Sequence, residues 1–157
     1  FYSGGAYQRA DSLFHLYTTA FPDSVYGYFW SARANLALDT TMSIEPYASN
    51  MVKGYQKSLD IALLNPRFKA QGIVASQYLA GYFNNIKKDK EAAISYLKKG
   101  LQLDPTNAPI LELLNILQKP PAKQTTTPKT PAKNSGKKEG TKPVAKKKAV
   151  NINNIKV

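Results

Sequence analysis

The chain contains no cysteine, which removes disulfides, thiolate metal sites and thiol nucleophiles from consideration. It has a single histidine, His15, so a metal centre or a general base built on imidazole has almost nothing to draw on. Carboxylates are sparse. Asp11, Asp23, Asp39, Asp60, Asp89, Asp104 and Glu112 fall where helix ends and outer faces would put them, and no two have the spacing of an acid and base working together. No GxxxxGK[ST], GxGxxG or HExxH is present, which leaves nucleotide and zinc-hydrolase readings without support. No apolar run reaches the length of a membrane-spanning helix, and there is no basic start followed by an apolar stretch. These absences predict a protein without catalytic residues, cofactor or metal. His15 follows Phe14 in DSLFHLYTTA and reads as a surface residue. The chain opens at Phe1 rather than Met and in the middle of a pattern, which predicts that further sequence precedes it, where a catalytic domain remains open.

What is present divides sharply. The 157 residues and 43% hydrophobic content suit one core. Half of the 22 basic residues lie in 119–157, where Glu139 is the sole acid and no aromatic occurs. Lysines there are separated by Pro, Thr, Ala and Gly, as in TPKTPAK and GTKPVAKKK. Such a segment cannot bury enough apolar surface to offset the entropy of ordering it. The sequence therefore predicts a folded region over 1–118 and a disordered Lys/Pro/Thr-rich tail over 119–157.

Within 1–118 the chain repeats itself. In EAAISYLKKGLQLDP, Ala93 is followed by Leu97, Gly100 and Pro105 at offsets of four, three and five, and the same offsets join Ala10, Phe14, Tyr17 and Pro22. Offsets of four and three put side chains on one helical face, and the proline falls where the helix has ended. A small residue lets a neighbouring helix come close while the large one fills the space between them. Met51, Tyr55 and Ser58 hold the matching offsets in a middle unit, with Pro66 late. Pro22 and Pro105 stand 83 positions apart, more than two units of about 34 residues, and the loop-like DTTMSIEP accommodates part of the surplus. Six helices are predicted, over 6–20, 24–38, 44–64, 67–87, 89–103 and 108–118. Asp23 or Ser24, Ser43, Asn65 and Asn107 are the expected caps, and Pro46, Pro66 and Pro109 fall in first turns. Ile110, Leu113, Leu114 and Leu117 would cover the open end.

These residues resemble the tetratricopeptide repeat family. The last unit, QYLAGYFNNIKKDKEAAISYLKKGLQLDPTN, carries Gly81 at the small position of a first helix and Ala93, Leu97, Gly100 and Pro105 in a second. In YFWSARANLALD, Ala32 takes the close-packing place and Asn35 departs from the expected aromatic; Tyr17 is bulky where the family is small. The resemblance covers 1–118 and implies an all-α, antiparallel helix-pair solenoid of about three repeats, a non-catalytic scaffold for protein or peptide partners. FWSARAN and the phrase from NNIKKDK onward are also similar to secreted or envelope-associated bacterial proteins of this kind, which implies a periplasmic or envelope setting, with the cytoplasm as the alternative.

In such a solenoid the first helix of each pair lines the concave face. On that basis Tyr26, Phe29 and Arg33 would lie beside Tyr78, Tyr82 and Asn85, each trio sharing one helical face. Aromatics and arginine give large contact energy for little lost rotamer entropy, so the stripe suits a partner. Packing between neighbouring repeats accounts for Tyr26, Phe29 and Tyr78 equally well. The tail leaves its own alternatives open: weak, sequence-indifferent nucleic-acid binding through lysines, contact with anionic lipid headgroups, or solubility alone.

Overall fold

The computed structural model describes residues 4–119. Six α-helices run in order: α1 Gly4–Ala20, α2 Val25–Leu38, α3 Tyr47–Leu64, α4 Lys69–Asn85, α5 Lys90–Leu103 and α6 Ala108–Gln118, with a 3₁₀ turn at Pro66–Phe68. Each helix packs against the one before it, as short connections between helices require. There is no strand among the described residues. This is the all-α helix-pair solenoid that the resemblance implies. The segment from residue 120 onward, with most of the predicted tail, lies outside the described residues. No described helix is long and apolar enough to cross a membrane.

Helix starts follow the polar side chains only in part. Asn65 accepts from the Arg67 amide at 3.1 Å and Asn107 from Ile110 at 3.2 Å, each before a first-turn proline. Asp89 accepts from Ala92 at 2.9 Å, and Glu91 places further negative charge in the same first turn. Ser24 stands at the N-cap of α2 without a side-chain bond. Ser43 does not begin a helix at all: α3 starts at Tyr47, after Pro46.

The reason is Asp39. Its carboxylate accepts from the amides of Thr41 at 3.0 Å and of Ser43 and Ile44 at 2.6 Å each, and from the Thr41 hydroxyl. Those amides are thus spent on a wrapped loop rather than a helical turn. Asp39 is buried, so it is no solvated surface acid of the kind its helix-end position suggested. Burial pushes its carboxyl up, but the Thr41 hydroxyl and the Ile44, Ser43 and Thr41 amides together outweigh that and hold it below the ordinary 3.8. Met42, at the centre of the wrap, has a positive φ of 56°. Such a backbone is unfavourable for a side-chain-bearing residue by about 1–2 kcal/mol, and here it turns Met42 into the core.

Two apolar clusters make one core. The larger joins α2, α3 and α4 around Phe29, Met51, Tyr55, Leu59, Leu79 and Tyr82. The smaller joins α4, α5 and α6 around Ala80, Ala93, Leu97, Ile110, Leu114 and Leu117. Phe83 and Tyr96, stacked at 5.2 Å, pack against both. α1 is the exception to the repeat pattern: Ala10 and Phe14 are half-buried, Tyr17 is exposed, and Leu13 and Leu16 are each 66% exposed.

Asn35, the departure from the family's aromatic, is buried and donates to Asp11 at 2.7 Å and to the Ser31 carbonyl at 3.0 Å. Ser31 also donates to Asp11, and Asn50 to Asn35 at 3.4 Å. Asp11, expected on an outer face, instead ties α1 to α2, and Asn35 carries the network on to α3.

Leu97→Ala should cost about 2–5 kcal/mol in denaturant titration. Gly54→Ala should cost about 1–3 kcal/mol, because its Cβ would lie 2.8 Å from the Tyr28 carbonyl oxygen and 2.9 Å from the Ala32 Cβ. Asp39→Ala should cost about 1–3 kcal/mol, because the Thr41, Ser43 and Ile44 amides lose their shared acceptor. Since Asp39 binds its proton less tightly folded than unfolded, its contribution is whole above its ordinary 3.8 and is lost as pH falls through the lower folded value. Stability of Asp39→Ala should therefore fall less steeply with acid than the parent's, and equal slopes would contradict the wrapped loop.

Candidate binding surface

The stripe read from the sequence divides into a surface layer and a supporting layer. Tyr26 is 40% exposed, and Arg33, Tyr78 and Asn85 are half-buried. Phe29 and Tyr82 are 6% and 5% exposed and belong to the core. The packing alternative thus describes Phe29 but not Tyr26, and Tyr82, expected on the binding face, is also core, since it and Phe29 rise from the inner sides of their helices into the contacts between helices.

Aromatic geometry connects the layers. Tyr78 stacks on Tyr55 at 5.1 Å with the rings parallel to within 1°. Tyr55 in turn meets the edge of Phe29 at 5.9 Å. A chain of rings thereby runs from α2 through α3 to α4. Tyr26 sits edge-on to Phe68 at 5.6 Å, so the 3₁₀ turn before α4 supports it. The Arg33 guanidinium lies 5.5 Å from the Trp30 ring and 6.0 Å from that of Phe29, which leaves its long side chain partly ordered before any partner arrives. At the other end, the Lys87 ammonium lies 5.5 Å from the Tyr82 ring, and Asn84 donates to Asn85 at 2.9 Å.

Tyr55 is the residue that sequence reasoning passed over as plain core. Its ring is fully buried and its hydroxyl has no hydrogen-bond partner. Burial, with the neighbouring Tyr78 second, raises its pKa well above the ordinary 10.0, while Arg33 acts in the opposite direction. The hydroxyl is therefore neutral at any ordinary pH. Trp30 and Phe68 were also missed as parts of this surface. The phrase FWSAR did place Trp30 three positions before Arg33 on a helix, and that spacing was signal enough; nothing in PRF distinguishes Phe68 from any loop aromatic.

Consecutive helix pairs with small residues at their crossings make a tetratricopeptide-like helical repeat fold. Among solved structures the chain is similar to the crystal structure of the C-terminal part of a TPR repeat-containing protein from the bacterium Cytophaga hutchinsonii, at 31% sequence identity and a TM-score of 0.59. The match covers 69% of this chain and 40% of that one, so this chain spans less than half of its neighbour's length. No protein-family model and no curated protein matches the chain.

Tyr82→Ala should cost about 3–5 kcal/mol, as loss of a buried ring does, whereas Arg33→Ala should change stability little. Tyr55→Phe should leave the fold intact and raise its stability, by up to about 1–3 kcal/mol, because it deletes a buried hydroxyl with no partner. A loss of stability in Tyr55→Phe would mean that the hydroxyl is satisfied in solution.

Proposed function

We propose that the protein is a non-catalytic scaffold that docks a protein or peptide partner across α2 and α4, with Tyr26, Arg33, Tyr78 and Asn85 in contact and Phe29 and Tyr82 holding them from beneath. The observation that carries this reading is the ring chain Phe29–Tyr55–Tyr78, which fixes an accessible tyrosine against a fully buried one. A surface whose aromatics are already locked loses little entropy when it binds, and interface energy concentrates in such residues. Arg33, laid against Trp30, adds a planar cation with donors free for carboxylates or carbonyls. The family resemblance supports the same class of partner. Nucleic-acid binding through the lysine-rich segment remains supported by composition alone and takes second place.

The test begins by selecting peptides from a random display library on the full chain and measuring their affinity by titration calorimetry. Tyr26→Ala combined with Arg33→Ala should weaken the selected peptides by about 2 kcal/mol or more, the loss typical of a binding hot spot, while the melting temperature stays near the parent's. Unchanged affinity in that variant would move the binding surface elsewhere.

A further inference from the structure

A cavity of about 520 Å³ opens on α1, α2 and α3, away from the aromatic stripe. Asp11, His15 and Thr18 of α1 form one wall, Tyr28 and Ser31 of α2 the floor, and Asn50, Lys53, Gly54 and Lys57 of α3 the other wall. Fixed contacts frame it. At one end Asp11 takes hydrogen bonds from Ser31 and Asn35, and Asn35 from Asn50. At the other, Gly27 brings α2 so near α1 that a Cβ there would lie 2.7 Å from the Thr18 methyl. Beneath the middle, Gly54 meets the Tyr28 backbone. Helices held at such points cannot close over the space without backbone movement.

The charges in the cavity are unbalanced. Asp11 is its sole carboxylate, and its Oδ1 is shared between the Ser31 hydroxyl and the Asn35 amide. Lys53 and Lys57, both exposed, face it without an ion pair, although the charge of Lys53 also reaches Glu45 outside the cleft; the one salt bridge among the described residues joins Lys69 to Asp104. The Lys57 ammonium lies 6.0 Å from the Tyr28 ring, and the Thr18 hydroxyl donates to the His15 carbonyl at 2.7 Å. Two cations a single helical turn apart, with an imidazole opposite, ask for an anion. Their separation narrows the choice: residues i and i+4 rise about 6 Å along a helix, and alternate side chains of an extended strand stand about 6.5–7 Å apart on one side. A segment lying along the groove with acids at every second position would meet Lys53 and Lys57 together, whereas adjacent acids would point to opposite sides.

We propose that this cleft is a second binding site, for an extended acidic peptide whose carboxylates stand at alternate positions. The occupant is a segment of another protein; the lysine-rich residues 119–157 of this chain, with Glu139 their sole acid, have the wrong charge for the site. The ¹⁵N-labelled full chain would be titrated with Gly-Glu-Ser-Glu-Ser-Glu-Gly at about 150 mM salt, where contacts between distant exposed charges are largely screened. Saturable shifts at His15, Ser31, Asn50 and Gly54 are expected, and Lys53→Glu with Lys57→Glu should weaken their midpoint about tenfold or more. Arg33→Ala should leave it unchanged, which separates this site from the stripe. A peptide of the same composition with its three glutamates adjacent should bind several-fold more weakly. Circular dichroism should match between variant and parent; if the reversed charges unfold the chain, Lys53→Gln with Lys57→Gln serves instead. Shifts confined to residues outside the cleft, undiminished affinity in the lysine variant, equal affinity for the two peptides, or full competition by millimolar phosphate would each overturn the proposal.

Discussion

Backbone-to-backbone distance is the constraint from which the rest of this structure follows. Each of the first four helix crossings carries a glycine at a point where a Cβ would collide with the neighbour: Gly27 for α1 and α2, Gly54 for α2 and α3, Gly72 for α3 and α4, Gly100 for α4 and α5. At Gly54 the obstacle is a carbonyl oxygen and a methyl attached directly to the backbone, neither of which can rotate away. Helices brought this near leave no room for large side chains at the crossing itself. The large residues are displaced to either side of it, where Tyr55, Phe29 and Leu59 fill one flank of α3 and a gap remains on the other.

Polar groups at these crossings reinforce the spacing. Buried Ser58 donates to the Gly54 carbonyl at 2.8 Å, and Ser76 to that of Ile73 at 2.7 Å, so both stay within their own helix. Asp39 and Asn35 differ, because they satisfy groups that the helices cannot: the amides of a loop without regular structure in one case, and the carboxylate of a neighbouring helix in the other. A buried carboxylate is tolerated only when its oxygens are bonded; buried Asp39 meets that condition through partners two to five residues on, while half-buried Asp11 shares one oxygen between Ser31 and Asn35 of the neighbouring helix. The stretched connection between α2 and α3 is thus as well specified as the helices it joins.

How much of this could be read in the sequence depended on whether the signal was periodic. Ala93, Leu97 and Gly100, or Met51, Tyr55 and Ser58, sit at helical offsets and are buried as a set, because an amphipathic face has only one way to pack. Asn65 and Asn107 were legible as caps for the same local reason. Ser43 was not, since its amide is claimed by Asp39, and nothing in the spacing tells whether a carboxylate will curl a loop around itself or point to water. The stripe failed in the same way for Phe29 and Tyr82. Sequence placed them on the correct helices, but only the inclination of each helix against its neighbours determines which of three residues on a face is inward. Asn35 looked like a defect in the family pattern and is instead a hydrogen-bonding position matched by Asp11, a pairing twenty-four residues apart that one sequence cannot reveal.

α2 and α3 lie between the two candidate surfaces, and the periodicity of each helix keeps them apart. Met51, Tyr55, Leu59 and Ala62 recur at three and four and turn toward the core, so the ring of Tyr55 reaches Phe29 and Tyr78 on one flank. Asn50, Lys53 and Lys57, offset by roughly half a turn, line the cleft toward α1. Occupancy of the cleft can reach the stripe through α3 or through α2, which carries Tyr28 and Ser31 on the cleft and Tyr26 and Arg33 on the stripe, and the contact of Gly54 with Tyr28 and Ala32 holds these two helices against each other. Two partners held on opposite sides of the packed α2–α3 pair would be brought together by geometry, each bound with its own affinity, and a scaffold needs no further coupling between its sites to assemble them.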